Sequence, residues 1–168
     1  ADKNYFGEDN LIHLEGNVQV VFFKKIEGED VSLNGDEVAY DKDMNNFLIT
    51  GHVKAKYKDV LIESALLHYD NKQEIFWTDN GASFSSPRLE GSGQKMVYSM
   101  KEKKIELREN IDLHLKPKLE TSLPVVIKGN EFDYNRETKS GRMEGGVQLF
   151  RGQSQAKATS MEFELNPD

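Results

Sequence analysis

Four histidines are the natural candidates for proton transfer or metal binding in this chain: His13, His52, His68 and His114. None forms a His-x-x-x-His or His-Glu-x-x-His pair, so no helical face offers two zinc ligands together. Cysteine is absent, which removes disulfides, thiolate metal sites and cysteine nucleophiles. Asp41 and Asp70 each follow a tyrosine as turn starters, where an Asp side chain bonds the backbone two residues on. Using them as a glycosidase pair needs a convergence that their serial placement does not suggest. Gly91-Ser92-Gly93 is too short for a nucleophile elbow or a phosphate loop. Glu109 is the outlier, in an inward column otherwise held by Gly or Asn. It reads either as an acid near a wet mouth or as a buried acid with a partner. No enzyme, cofactor or metal is expected.

The elements that carry these residues repeat. Tyr40, Tyr69 and Tyr98 stand 29 residues apart, and Tyr134 to Phe163 is the same step. Tyr5 to Tyr40 is 35 and Tyr98 to Tyr134 is 36, which marks loops inserted into one unit. Such regularity argues for one supersecondary unit stacked about five times on a shared core. After each marker the apolar residues alternate: Phe47, Ile49, Val53, Ala55; then Phe76, Ala82, Phe84; Ile105, Leu107, Ile111, Leu113; Met143, Val147, Leu149. Period two with polar residues between them is the pattern of a half-buried strand. Glycine or a polar residue holds the centre of each run, as in Gly16-Asn17-Val18, Gly51-His52-Val53 and Gly145-Gly146-Val147. Trp77, in an outward column beside Phe76, reads as cover for a neighbouring edge.

A second strand precedes each marker, with apolar pairs such as Val31/Leu33 and then Val38/Tyr40. The inward parity shifts between those pairs, which demands a bend or bulge near Gly35-Asp36, Ser64, Gly93 and Gly129-Asn130. Glycine supplies the freedom such a corner needs. Each unit is therefore expected to be a bent strand that crosses from one sheet to another. The four prolines lie at or beyond strand mouths. The expected architecture is all-β, two-sheeted, and one domain over 1–168.

Charged residues make up 30% of the chain and the net charge is −7, which argues against a nucleic-acid partner. The lysine clusters 54/56/58 and 101/103/104 are interleaved with acids and read as solvated faces, or else as contacts for anionic head groups. No apolar run reaches the roughly 18 residues of a membrane span. The start Ala1-Asp2-Lys3 is what cleavage at a small residue, or removal of an anchor, leaves behind. The inserted loops fall near 24–30 and 116–124, as tolerated surface insertions or as a lid at the mouth.

Leu33-Asn34-Gly35-Asp36-Glu37-Val38-Ala39-Tyr40-Asp41 followed by Gly51-His52-Val53 resembles the OstA-like repeat. Ile127-Lys128-Gly129-Asn130-Glu131-Phe132-Asp133-Tyr134 and Gly145-Gly146-Val147 repeat it. Residues 89–107 are similar to the C-terminal part of LptC-type proteins, and the units after the 116–124 loop look more LptA-like. The resemblance implies a V-shaped β-jellyroll and a periplasmic lipopolysaccharide-transport protein, without the N-terminal transmembrane helix of the LptC type in this sequence. It also implies shielding of acyl chains in an apolar groove, as part of a bridge between the inner and outer membranes. An inner-membrane ABC transporter complex is the implied partner.

On that resemblance the inward residues Phe47, Ile49, Val53, Phe76, Phe84, Ile105, Leu107, Ile111, Leu113, Met143, Val147 and Leu149 are the expected acyl-chain contacts. Small residues in the central columns (Gly16, Gly51, Ala55, Ala82, Gly141, Gly145) favour a cleft over a filled core. Val21 and Phe23 at one end, and Met161 and Phe163 at the other, are the expected partner edges. They would allow head-to-tail pairing with further OstA-like domains, or a non-carrying adaptor of the same fold.

Overall fold

The computed structural model describes residues 1–24, 28–117 and 123–165, so parts of both inserted loops, and Pro167, lie outside the described residues. The elements are all strands: β1 (Lys3–Phe6), β2 (Ile12–Phe22), β3 (Val31–Tyr40), β4 (Asn46–Tyr57), β5 (Val60–Asp70), β6 (Ile75–Thr78) and β7 (Ala82–Ser85). They continue with β8 (Leu89–Gly93), β9 (Lys95–Ser99), β10 (Lys104–Leu115), β11 (Val125–Asn135), β12 (Ser140–Arg151) and β13 (Ser154–Glu164). The meander β1 to β5 is antiparallel, as is β10 to β13. Between them β6 and β7 pair with different halves of β5, and β8 and β9 with different halves of β10. Each pair is thus one long strand interrupted at the bend.

Every long strand passes through two half-sheets. One contains the marker tyrosines; the other contains the columns of Val20, Leu33, Ala55 and Ile62. We call them the tyrosine sheet and the valine sheet. The register between neighbouring strands slips where they meet, as between Thr50 and Val53 on β4. The slip is a bulge, with an extra residue on β2, β4, β10 and β12.

That bulge is a pair of consecutive left-handed residues. Gly51 and His52 have φ of 70° and 48°, Gly145 and Gly146 81° and 75°, and Glu109 and Asn110 64° and 53°. The central column is therefore a corner and not an inward row, which corrects the expectation that its glycines make room for a cleft. Glu109 is exposed and pairs with Lys95 at 2.7 Å. It is neither a mouth acid nor a buried one.

Gly35, Gly93 and Gly129 sit at the bend as expected, but with ordinary negative φ. Their smallness serves packing: a Cβ at Gly35 would stand 2.5 Å from Ile49 Cγ2, and one at Gly129 2.6 Å from Met143 Sδ. Polar side chains brace the corners. Asp36 accepts from His52 Nδ1 at 2.8 Å, Asn130 Nδ2 donates to Gly145 O at 3.0 Å, and Ser64 Oγ donates to Gly81 O at 2.7 Å.

The marker residues form one cross-strand row: Tyr40, Phe47, Tyr69, Phe76, Tyr98, Ile105, Tyr134, Gly141, Phe163. Its rings stack, at 4.6 Å for Tyr69–Phe76 and 5.5 Å for Tyr40–Phe47. Offset aromatic stacking contributes to stability beyond area burial. Tyr5, by contrast, lies on exposed β1, stacked on His13 at 4.9 Å.

Candidate functional site

The two sheets face each other across an interior with no charged residue among its described core positions; its buried polar groups are Thr78 and Ser99. Of the twelve expected acyl-chain contacts, eleven are buried, each 2% exposed or less. Leu149, near the end of β12, is half-buried. They come from both sheets: Phe47, Ile49, Phe76, Ile105, Leu107 and Met143 from the tyrosine sheet, the rest from the valine sheet. Cross-sheet contacts close the space, with Phe22 on Phe47 at 4.9 Å and Tyr57 near Tyr98 at 6.3 Å. In this state the sheets lie together as a packed core.

The interior reaches water at its two ends. Leu14, Val20 and Phe22 border it at the β2 end, and Met161, Phe163 and Leu165 at the β13 end. Met161 and Phe163 point inward and are half-buried, so what β13 offers at the edge is its backbone. On β2, Val21 is 37% exposed, and Phe23 just beyond it is 83% exposed.

The mouth is the side where the hairpin turns of both sheets converge. The tyrosine-sheet turns are stitched in series by backbone hydrogen bonds: Asn71 N to Asn45 O, Met100 N to Glu74 O, Arg136 N to Lys103 O, and Leu165 N to Lys139 O, at 2.7–3.0 Å. Asp41 and Asp70 are turn starters as expected, accepting from Asn45 N at 2.9 Å and Gln73 N at 2.7 Å.

Among the described residues, ion pairs cross the mouth at two places. Lys24, after β2, reaches Glu74 on the β5–β6 turn at 2.7 Å. Asp59, on the β4–β5 turn, pairs with Arg136 on the β11–β12 turn. Arg136 Nη1 also donates to the Tyr98 hydroxyl at 2.9 Å. Burial pushes the Tyr98 phenol up, against the opposing pull of Arg136. Periodicity gave no hint of these pairs, because neither belongs to the apolar columns.

The outer faces are mostly charged or polar, with Val21 and Val97 among the exposed apolar residues. Lys54 pairs with Glu63, Lys58 with Glu29, Lys103 with Glu137, and Lys104 with Glu106 and Asp133. These lysines read as solvated faces. Trp77 stacks on His68 of the adjacent strand at 4.7 Å, so it does cover its neighbour. Among the described residues, no three His, Asp or Glu side chains converge as a metal site would require.

A bent meander whose strands each contribute to two facing sheets, with an apolar interior open at its ends, is the OstA-like β-jellyroll. The lipopolysaccharide-assembly, LptC-related family model matches residues 4–116, and the chain belongs to that family. Among solved structures it is similar to LptH of Pseudomonas aeruginosa, the LptA-homologous periplasmic component of a lipopolysaccharide transport device. That likeness has a TM-score of 0.53 at 10% identity and covers 62% of this chain and 75% of the other. It supports the shared fold. No curated protein sequence matches the chain.

Proposed function

We propose that this protein is a periplasmic carrier in lipopolysaccharide assembly that shelters acyl chains between its two sheets, as part of a bridge from the inner to the outer membrane. The whole chain acts as one domain, and an inner-membrane ABC transporter complex is its upstream partner. The observation that carries the reading is the interior: apolar from both walls, running strand after strand and reaching water at both ends.

Apolar burial contributes roughly 25 cal/mol per Å² and has no directional demand, so acyl chains can replace one wall as neighbours of the other. Opening then costs mainly the rim contacts, which are ion pairs and aromatic edges and not covalent links. The twelve inward residues from Phe47 to Leu149 are the proposed contacts.

A photo-crosslinking residue at Phe84 or Leu113 is expected to capture lipopolysaccharide, and one at the outward Lys54 or Asp112 is not. Equal labelling at inward and outward positions would remove the carrier reading. The exposed edge of β13 and exposed Val21 and Phe23 support the second reading, an adaptor that joins OstA-like partners by strand addition without carrying lipid.

A further inference from the structure

Resting on the carrier reading, we propose that the cleft beneath the β11–β12 turn receives the phosphate head group of the bound amphiphile, with Arg136 exchanging Asp59 for that phosphate. The cleft has a volume of about 200 Å³ and lies between the rims of the two sheets. Asp59 and Arg88 line it from valine-sheet turns, Arg136 and Lys139 from the tyrosine-sheet side. Arg136 and Lys139 thus face the single carboxylate of Asp59, in a chain whose net charge is −7. That local reversal of sign selects for an anion.

Arg136 is the organised member. Its side chain is 18% exposed, whereas that of Asp59 is 48% exposed. Its guanidinium is held by the Tyr98 hydroxyl and its backbone N–H by Lys103 O. A guanidinium fork suits two phosphate oxygens, and little ordering remains to be lost on binding. Asp59 can turn into water at small cost, but a partly buried Arg needs an anion in its place. Asp59 is therefore an internal stand-in for the head group, and its displacement frees one tie across the mouth.

Beside Ser86, the cleft has an apolar side made by Pro87, Tyr134 and Leu165. Tyr134 belongs to the inward aromatic row, and Leu165 borders the interior at the β13 end. A phosphate with an attached acyl chain therefore fits charge and apolar wall together, whereas inorganic phosphate satisfies only the charge.

The test uses the full chain with three probes: a short-chain phosphatidic acid, its matched diacylglycerol, and inorganic phosphate, each followed by titration calorimetry. Arg136→Gln is expected to weaken phosphatidic acid about tenfold or more, as loss of a charge-assisted hydrogen bond does, and to leave diacylglycerol unchanged. Asp59→Asn, at an exposed turn, is expected to strengthen phosphatidic acid several-fold, and it stays informative if the Arg136 variant folds poorly. Unchanged affinity in Arg136→Gln, or weakened affinity in Asp59→Asn, overturns the inference while the carrier reading stands. Inorganic phosphate binding as tightly as phosphatidic acid overturns the commitment to an amphiphile. Failure of both lipids to bind the unaltered protein overturns the carrier reading itself and this inference with it.

Discussion

The ring of Phe163 lies over Gly141 so closely that a Cβ at position 141 would stand 2.5 Å from its Cζ. The two residues face each other across β12 and β13, at the C-terminal end of the aromatic row. Gly141→Val is expected to push the ring aside and loosen β13, at a cost of about 1–3 kcal/mol typical of overpacking. Urea unfolding measures the loss, and hydrogen exchange should place it on β12 and β13. Uniform protection across the sheet would contradict that placement.

Glu109 and Asn110 hold a left-handed corner that Gly145 and Gly146 hold elsewhere. A non-glycine residue there costs of order 1–3 kcal/mol, part of which a glycine gives back through unfolded-chain entropy. The Lys95 partner is exposed and adds little. Stability is expected to rank Glu109→Gly above the natural residue, and Glu109→Val below it. A urea series in which Glu109→Gly is the least stable would refute the corner.

His13 and His68 should titrate on opposite sides of free histidine. Hydrogen bonds donated by the His13 ring to the carboxylates of Glu37 at 2.8 Å and Asp9 at 3.1 Å raise the pKa of His13, while burial lowers that of His68. The stability contributed by His13 is full below the unfolded value, near 6.5, and is lost as pH rises through the higher folded value. His68 acts in reverse: the fold favours its neutral ring, so acidification through the unfolded value penalises it. Imidazole NMR titration orders the two, and a His68 that titrates above His13 would reject the assignment.

Lys24 and Glu74 span the mouth, and the chain has no cysteine of its own. Joining Lys24→Cys to Glu74→Cys with a short bifunctional thiol reagent is expected to prevent photo-crosslinking of lipopolysaccharide at Phe84. A reagent that reducing conditions cleave should restore it. Undiminished capture in the joined protein would mean that lipid enters by another route.

Val21 and Phe23 are exposed beside the later half of β2, which pairs with β3 but lies beyond the residues paired with β1. If head-to-tail assembly uses that edge, a lysine there blocks pairing, as charged residues do on natural edge strands. Light scattering over a concentration series should show growth for the natural chain and a steady monomer for Val21→Lys/Phe23→Lys. Identical curves would remove this edge from the assembly.

The period of Tyr40, Tyr69 and Tyr98 was legible in the sequence because hairpin turns of constant length put these residues on alternate strands of one row, with Phe47 and Phe76 opposite them on the strands between. The inward columns were legible for the same reason: strand alternation assigns a face to every side chain. These local rules establish the all-β class, the bent strands and most of the interior. They do not distinguish glycines. Gly51 is small to turn a corner, whereas Gly35 and Gly141 are small to seat Ile49 and Phe163, and only the packed sheets tell these apart. Nor do they pair Asp59 with Arg136, 77 residues away. Which rim residues meet depends on how far the sheets close on each other, and that is decided by the whole interior and not by any local spacing.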